Sequence, residues 1–193
     1  MINYSLCNTN TDKFSGGITN DNKNGHNYQL LYKNFINKNL NTILEIGTAN
    51  GGFAKFLLDN GIKLFVVGTD IMPEAKHFHV SDTTNYNHLY SDFYIGDSFT
   101  TDFLAWIETK QYKFDLIIED AEHIISQQIF MISNVDKLLN DGGVYICEDV
   151  QSYLNANIIM QSIPERYKKY SYIWEASKSI GRTDDICIVI DTR

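Results

Sequence analysis

Short apolar segments alternate with segments of helical periodicity along almost the whole of this chain of 193 residues. Such alternation predicts a mostly parallel sheet with helices on both faces, because parallel neighbours in a sheet must be joined by a crossover. No helix is indicated between the last two strands, so we expect the seventh strand to be antiparallel, at the sheet edge. Strands are predicted at Ile43–Ile46, Leu64–Thr69, Asp92–Ile95, Phe114–Glu119, Val144–Glu148, Tyr170–Trp174 and Ile186–Ile190.

Apolar residues at helical spacing predict the helices between these strands. The first covers roughly 26–38, and the next contains Phe53, Phe56 and Leu57 and ends at Asn60-Gly61. Further helices are predicted around 103–107, over a long stretch from 125 to 139 that ends at 140–143, and around 158–162. The chain therefore divides into a lead-in with a lid helix (1–40) and an α/β domain (41–193), which together form one compact unit.

Composition excludes several classes of protein. The net charge of -8 does not suit a general nucleic-acid binder, which needs a basic face. Cys7, Cys147 and Cys187 are too few and too widely spaced for a disulfide framework or a zinc site. The polar N-terminus does not resemble a signal peptide, and no apolar run approaches the ~20 residues that span a bilayer, so we expect a cytoplasmic protein without a membrane partner.

A glycine-containing turn follows the first predicted strand, in the segment Leu44–Gly52. Glycines there let a ligand approach the backbone, and the next helix presents free N–H groups at its N-terminus. Ala49 stands where a dinucleotide fingerprint would have its second glycine, and Glu45 would repel a pyrophosphate. An acid at this strand end suits the cationic methionine end of S-adenosylmethionine. A tight turn without a ligand also explains the glycines.

Acids also follow the second and third predicted strands, at Asp70 and Asp97. An acid about 20 residues beyond the glycine turn can accept from ribose hydroxyls, and the next one can accept from the adenine amino group. Either acid alone also fits a helix cap. Because the carboxyl ends of parallel strands share one rim, Glu45, Asp70 and Asp97 together predict a cofactor site.

A second acidic group follows the fourth and fifth predicted strands, at Asp120, Glu148 and Asp149. In a sheet of order 3-2-1-4-5 these strands are neighbours, and clustered carboxylates repel one another unless a cation lies between them. All-oxygen ligands favour magnesium, calcium or manganese. His123 is placed to act as a general base beside this site. Acids that interact with a helix dipole and a structural histidine are the plain alternative.

In these motifs the chain resembles the class I methyltransferases of the macrolide-sugar O-methyltransferase type, which modify mycinamicin- and tylosin-like antibiotics, and the related cephalosporin hydroxylase-like proteins. The resemblance covers most of the chain, from Asp12 to about Tyr153, and Glu119, Ala121 and Glu122 depart from the family pattern. The matching motifs are Thr11-Asp12-Lys13, His26-Asn27-Tyr28, the turn from Leu44 to Gly52, Gly96-Asp97, the segment Phe114 to His123, and the segment Gly142 to Asp149.

The resemblance implies a Rossmann-like seven-stranded fold and transfer of a methyl group from S-adenosylmethionine to a hydroxyl of a small molecule, with a saccharide or glycosylated metabolite as the expected acceptor. It implies a divalent cation, Mg²⁺ by preference, held by Asp120, Glu148 and Asp149, with His123 as the base. It also implies a homo-oligomer. The residues expected to bind the cofactor are Lys13, Tyr28, Glu45, Gly47, Thr48, Asp70, Ile71, Asp97, Ser98 and Asp120.

Three other functions stay open on the sequence. One is a catechol-type methyltransferase, which also uses a metal at this rim. Another is a nicotinamide-dependent oxidoreductase on the same fold, and the last is a non-catalytic binding protein. Plain alternatives also exist for two cofactor residues, since Tyr28 on an aromatic helix fits core packing and Lys13 fits a solvated surface.

Overall fold

The computed structural model describes residues 28–36, 40–49, 51–72, 89–175 and 186–193. In this part of the chain seven strands form one sheet in the order 3-2-1-4-5-7-6, counted by their position along the chain, and the first five strands are parallel. The predicted doubly wound α/β sheet is therefore confirmed. The strands are β1 (Thr42–Ile46), β2 (Phe65–Asp70), β3 (Asp92–Ile95), β4 (Phe114–Glu119), β5 (Leu139–Cys147), β6 (Ser171–Glu175) and β7 (Ile186–Asp191).

Helices cover both faces of this sheet. Apolar residues of the first two described helices pack in a core with Ile43 of β1, whereas the five later ones pack in a second core with Leu44 and Ile46 of the same strand. Successive side chains of β1 thus enter opposite cores, as a strand buried on both faces requires. The helices are α1 (Gln29–Tyr32), α2 (Gly52–Asp59), α3 (Thr101–Lys110), α4 (Ile125–Ser133), α5 (Val135–Leu138), α6 (Tyr153–Gln161) and α7 (Glu165–Lys168).

The last strand is antiparallel, as predicted, but its expected position at the sheet edge is wrong. β7 lies between β5 and β6 and pairs antiparallel with both. Its residues Ile186 to Ile190 are all buried, whereas every residue of β6 is at least partly exposed. A continuous apolar run fits an interior strand, and the more exposed pattern of β6 fits the edge.

The long helix predicted over 125–139 is also corrected. It is broken at Asn134, whose side-chain amide donates to the carbonyl of Phe130 at 2.8 Å. Leu139 belongs to β5, which therefore begins five residues before its predicted start at Val144. The register between β4 and β5 shifts there, and Gly142 has a left-handed φ of 74°, so glycine permits an irregularity in a strand rather than ending a helix.

Other sequence expectations concern single residues. Cys147 and Cys187 are buried in the two cores, as predicted, whereas Cys7 lies outside the described residues. Among the helices that the structure describes, none has both the length and the apolar character needed to cross a bilayer. Of the helix expected over 26–38, α1 and the turn that follows it lie within the described residues.

Candidate active site

The turn after β1 is pressed against the end of β4. Gly47 has a φ of 83°, and a Cβ atom at this position would lie 2.2 Å from the carbonyl oxygen of Asp120. The backbone N–H groups of Gly47 and Thr48 donate to the carbonyl of Thr69 at 3.0 and 3.2 Å. The turn is thereby fixed to β2 on one side and to β4 on the other, and the close approach requires glycine.

Asp70 holds the same turn through its side chain. Its Oδ2 accepts from the backbone N–H of Ala49 at 2.9 Å, and its Oδ1 accepts from that of Met72 at 2.9 Å. Asp70 is only 9% exposed, so its carboxylate is fixed at the end of β2. Each carboxylate oxygen can accept more than one hydrogen bond, so Asp70 can still accept one from a ligand hydroxyl.

Glu45, which is predicted to meet the methionine end of the cofactor, is buried beside Tyr90. It is 2% exposed and its Oε2 accepts from the Tyr90 hydroxyl at 2.6 Å. Burial, followed by the nearby Glu45 carboxylate, raises the pKa of Tyr90 well above its ordinary value, which keeps the hydroxyl a donor. Glu45 does not line the cleft described next.

A cleft of about 250 Å³ lies at the carboxyl ends of β1, β2, β3 and β4. Four carboxylates line it, those of Asp70, Asp97, Asp120 and Glu122, and no Lys or Arg does so among the residues that the structure describes. Such a lining favours a cationic ligand over a phosphate. Of the predicted cofactor residues, the cleft is lined by Gly47, Asp70, Ile71, Asp97, Ser98 and Asp120.

Sequence reasoning missed several lining residues, of which Gln127 is the most informative. Its Oε1 is buried and accepts no hydrogen bond from any described residue. A buried acceptor without a partner is costly, so an amide in this state on a cleft wall is a candidate contact for a ligand. Met72 and Phe99 each follow a predicted cofactor residue by one position, and this adjacency is a sequence signal that could have predicted them. The other lining residues that were not predicted are Ile46, Ala49, Thr69, Gly96, Ala121 and Glu122.

The second acidic group lies at the same rim. One ligand atom each from Asp120, His123 and Asp149 lie within 4.8 Å of one another. His123 Nε2 is 3.9 Å from Asp120 Oδ1 and 3.7 Å from Asp149 Oδ2. The two carboxylates suit a divalent cation, and the imidazole of His123 lies beside them. His123 Nδ1 is buried and has no hydrogen-bond partner in the described part of the chain.

Glu148, the third predicted ligand, follows β5 but lies outside this group of three. It is fully buried, and its Oε1 accepts a hydrogen bond from the hydroxyl of Tyr32. Its backbone N–H donates to the carbonyl of Glu119 at 2.9 Å, which places it beside the end of β4. Asp120 and Glu148 therefore share one edge of the sheet, while ligation by Glu148 stays a prediction.

Tyr28 contacts an acid of the second group rather than the cleft. Its hydroxyl donates a hydrogen bond to Asp149 Oδ1, and its ring packs edge-on against Trp174 with the ring centres 5.9 Å apart. Burial, with the nearby Cys187 and Asp149, raises the pKa of Tyr28 far above its ordinary value. Lys13, the motif around it and residues 1–27 of the predicted lead-in and lid helix (1–40) lie outside the described residues.

Comparisons with known proteins bear on the fold. No protein-family model matches the chain, and no curated protein does. Among solved structures, a putative SAM-dependent methyltransferase from Streptococcus mutans is similar over 91% of this chain and 50% of that one, with 12% identity and a TM-score of 0.63. The fold is that of the class I methyltransferases.

Two further structures hold a ligand. The MycE methyltransferase from the mycinamycin biosynthetic pathway, in complex with Mg and SAH, is 18% identical over 86% of this chain and 48% of its own, with a TM-score of 0.58. An O-methyltransferase from Bacillus cereus in complex with SAH is 18% identical over 97% of this chain and 86% of its own, with a TM-score of 0.55. The chain thus spans about half the length of MycE.

Proposed function

We propose that this chain is an S-adenosylmethionine-dependent O-methyltransferase that uses a divalent cation, Mg²⁺ by preference. The observation that carries the proposal is the position of Asp120, which lines the carboxylate cleft and also belongs to the group with His123 and Asp149. A methyl donor in the cleft and an acceptor beside the group would therefore meet at Asp120. Similar folds that bind SAH, one of them with Mg, support the same function.

The cleft residues would bind and orient the methyl donor. Asp70 ends β2 and Asp97 follows β3, and both line the cleft. We expect Asp70 to accept from the ribose hydroxyls and Asp97 to accept from the adenine amino group. The carboxylate lining favours the positive sulfonium and ammonium groups of this donor. The same lining argues against the phosphates of a nicotinamide cofactor, which is the alternative from a different enzyme class.

The second group would prepare the acceptor. Asp120 and Asp149, with Glu148 as the third predicted ligand, would hold the cation, which lowers the pKa of an acceptor hydroxyl beside it. His123 would take the hydroxyl proton while the acceptor oxygen forms its bond to the methyl carbon and the bond from that carbon to sulfur breaks. Holding the two reactants in line supplies much of the acceleration.

We extend the proposal to the acceptor, which we take to be a hydroxyl of a saccharide or of a glycosylated small molecule. Support comes from the sequence resemblance to the macrolide-sugar O-methyltransferases and from the fold likeness to MycE. Catechol-type acceptors remain the second candidate, and the fold likeness to the Bacillus cereus O-methyltransferase is compatible with them.

Calorimetry with SAH and with NAD⁺, followed by a methyl-transfer assay on a panel of saccharides and catechols, tests the proposal. We expect binding of SAH, no binding of NAD⁺, and a mass increase of one methyl group on a saccharide. Binding of NAD⁺ without SAH would overturn it in favour of an oxidoreductase. Binding of SAH with transfer to catechols alone would overturn the saccharide assignment and leave the methyltransferase assignment in place.

A further inference from the structure

Two tyrosines one turn apart on the segment 28–36 reach two consecutive acids after β5. The hydroxyl of Tyr28 donates to Asp149, and that of Tyr32 donates to Glu148. Residues four apart lie on one face of a helix, whereas consecutive residues of a strand point to opposite sides. Asp149 has a left-handed φ of 52°, which breaks the alternation at the strand end and lets both carboxylates meet the same face of the segment 28–32.

The contact with Tyr28 divides the two oxygens of Asp149 between different partners. Oδ1 accepts from Tyr28, and Oδ2 lies 3.7 Å from His123 Nε2, within the group that includes Asp120. A carboxylate held at one oxygen cannot rotate freely, so its other oxygen stays directed at the group. This is the arrangement by which outer hydrogen bonds orient metal ligands in proteins.

Both tyrosines are themselves fixed in place. Tyr28 and Tyr32 are fully buried, and their rings pack against Trp174 and Phe53 with centres 5.9 and 5.5 Å apart. Because both hydroxyls are already held in place, little further entropy is lost when they orient the two carboxylates toward a cation.

We propose that Tyr28 and Tyr32 are positioning residues of the cation site, holding Asp149 and Glu148 in the orientation that binds a divalent ion. The inference rests on the proposed function, because it presumes that this rim binds a cation. It goes beyond that function by making α1 part of the site and by giving Tyr28 a contact with a cation ligand in place of its predicted contact with the cofactor.

The test measures Mn²⁺ and SAH binding by calorimetry on the full chain after removal of metal, in the wild type and in Tyr28→Phe, Tyr32→Phe and Tyr112→Phe. Tyr112→Phe is the matched control, because its hydroxyl donates to Asp92 at 2.9 Å, away from the site. We expect Tyr28→Phe and Tyr32→Phe each to weaken Mn²⁺ binding by about tenfold or more, as loss of outer hydrogen bonds to metal ligands does, with SAH affinity unchanged. The control should change neither.

If the two tyrosines had a purely structural role, replacing them would change the free energy of unfolding. It would not weaken Mn²⁺ binding while leaving SAH binding unchanged. If one variant does not fold, the other still tests the proposal, because the two tyrosines contact different carboxylates. Mn²⁺ affinity at the wild-type level in a folded variant, or loss of folding in both, would overturn the inference alone. A wild type that binds SAH but no Mn²⁺ would overturn the cation site and the inference together.

Discussion

His123 and Asp149 face each other across the ends of β4 and β5, with Nε2 of the imidazole 3.7 Å from Oδ2 of the carboxylate. Both have left-handed backbones, with φ of 58° and 52°. Such a conformation costs a non-glycine residue about 1–2 kcal/mol and persists where the surrounding structure imposes it, which is common at functional sites. Ala49 in the glycine turn has the same feature, with φ of 43°.

Replacing His123 by alanine and by glycine distinguishes the chemical role of its imidazole from the strain of its backbone. We expect His123→Ala and His123→Gly both to abolish methyl transfer while SAH binding survives, because both lack the imidazole and keep the cleft. His123→Gly should be the more stable of the two by about 1 kcal/mol, since glycine adopts a positive φ without strain. Urea unfolding and a transfer assay check this, and appreciable turnover by either variant would exclude His123 as the base.

Removing the divalent ion should stop the reaction and spare the cofactor. EDTA is expected to abolish methyl transfer, since it would remove the cation that we propose Asp120 and Asp149 hold, and added Mg²⁺ should restore it. SAH binding measured by calorimetry should persist, because most of the cleft lining belongs to other residues. Full activity under chelation would contradict a role for the metal.

Gly47 and Gly61 form a matched pair for the glycine turn. Both have positive φ, 83° and 70°, but a Cβ at Gly47 would lie 2.2 Å from Asp120 O, whereas one at Gly61 would meet nothing within 4 Å. Gly61→Ala should cost about 1 kcal/mol of backbone strain. Gly47→Ala should cost about 3 kcal/mol, since overpacking adds to the strain, and should abolish SAH binding. Equal effects in urea unfolding would contradict the close approach.

The strand order made much of the cleft predictable from the sequence. Asp70, Asp97 and Asp120 follow three apolar strands, and the carboxyl ends of parallel strands share one rim whatever the packing details. The direction of Glu45 could not be predicted with the same ease. It shares a strand face with Ile43 and meets Tyr90, which is 45 positions away and which no local pattern connects to it.

Contacts between distant segments account for the remaining differences. The partner of Tyr28 is 121 positions away, so helical periodicity predicts its burial but not its contact with Asp149. Helical spacing likewise extended a helix to Leu139, although pairing with Phe114 of β4 places that residue in a strand. Tertiary pairing overrides local periodicity at such boundaries.

Gln127 and Gln128 are neighbours in α4, but we expect their replacement to affect stability and SAH binding in opposite ways. The amide of Gln128 donates to the carbonyl of Glu148 at 3.1 Å, whereas Gln127 Oε1 is buried on the cleft wall and accepts from no described residue. Gln128→Leu should therefore lower the free energy of unfolding by about 1–2 kcal/mol, because it leaves a buried carbonyl without that donor. Gln127→Leu should leave the ligand-free protein as stable as the wild type or more so, because it removes an unsatisfied acceptor.

The same pair should separate in ligand binding. Gln127→Leu is expected to weaken SAH binding by about tenfold, the loss of one hydrogen bond to a ligand in a buried site, while Gln128→Leu should leave SAH affinity unchanged. Thermal unfolding with and without SAH measures both effects in one experiment, because a ligand that binds only the folded state raises the midpoint according to its affinity. If SAH raises the thermal unfolding midpoint of Gln127→Leu as much as that of the wild type, the amide of Gln127 does not contact the cofactor. Its buried oxygen would then have no function in the cleft.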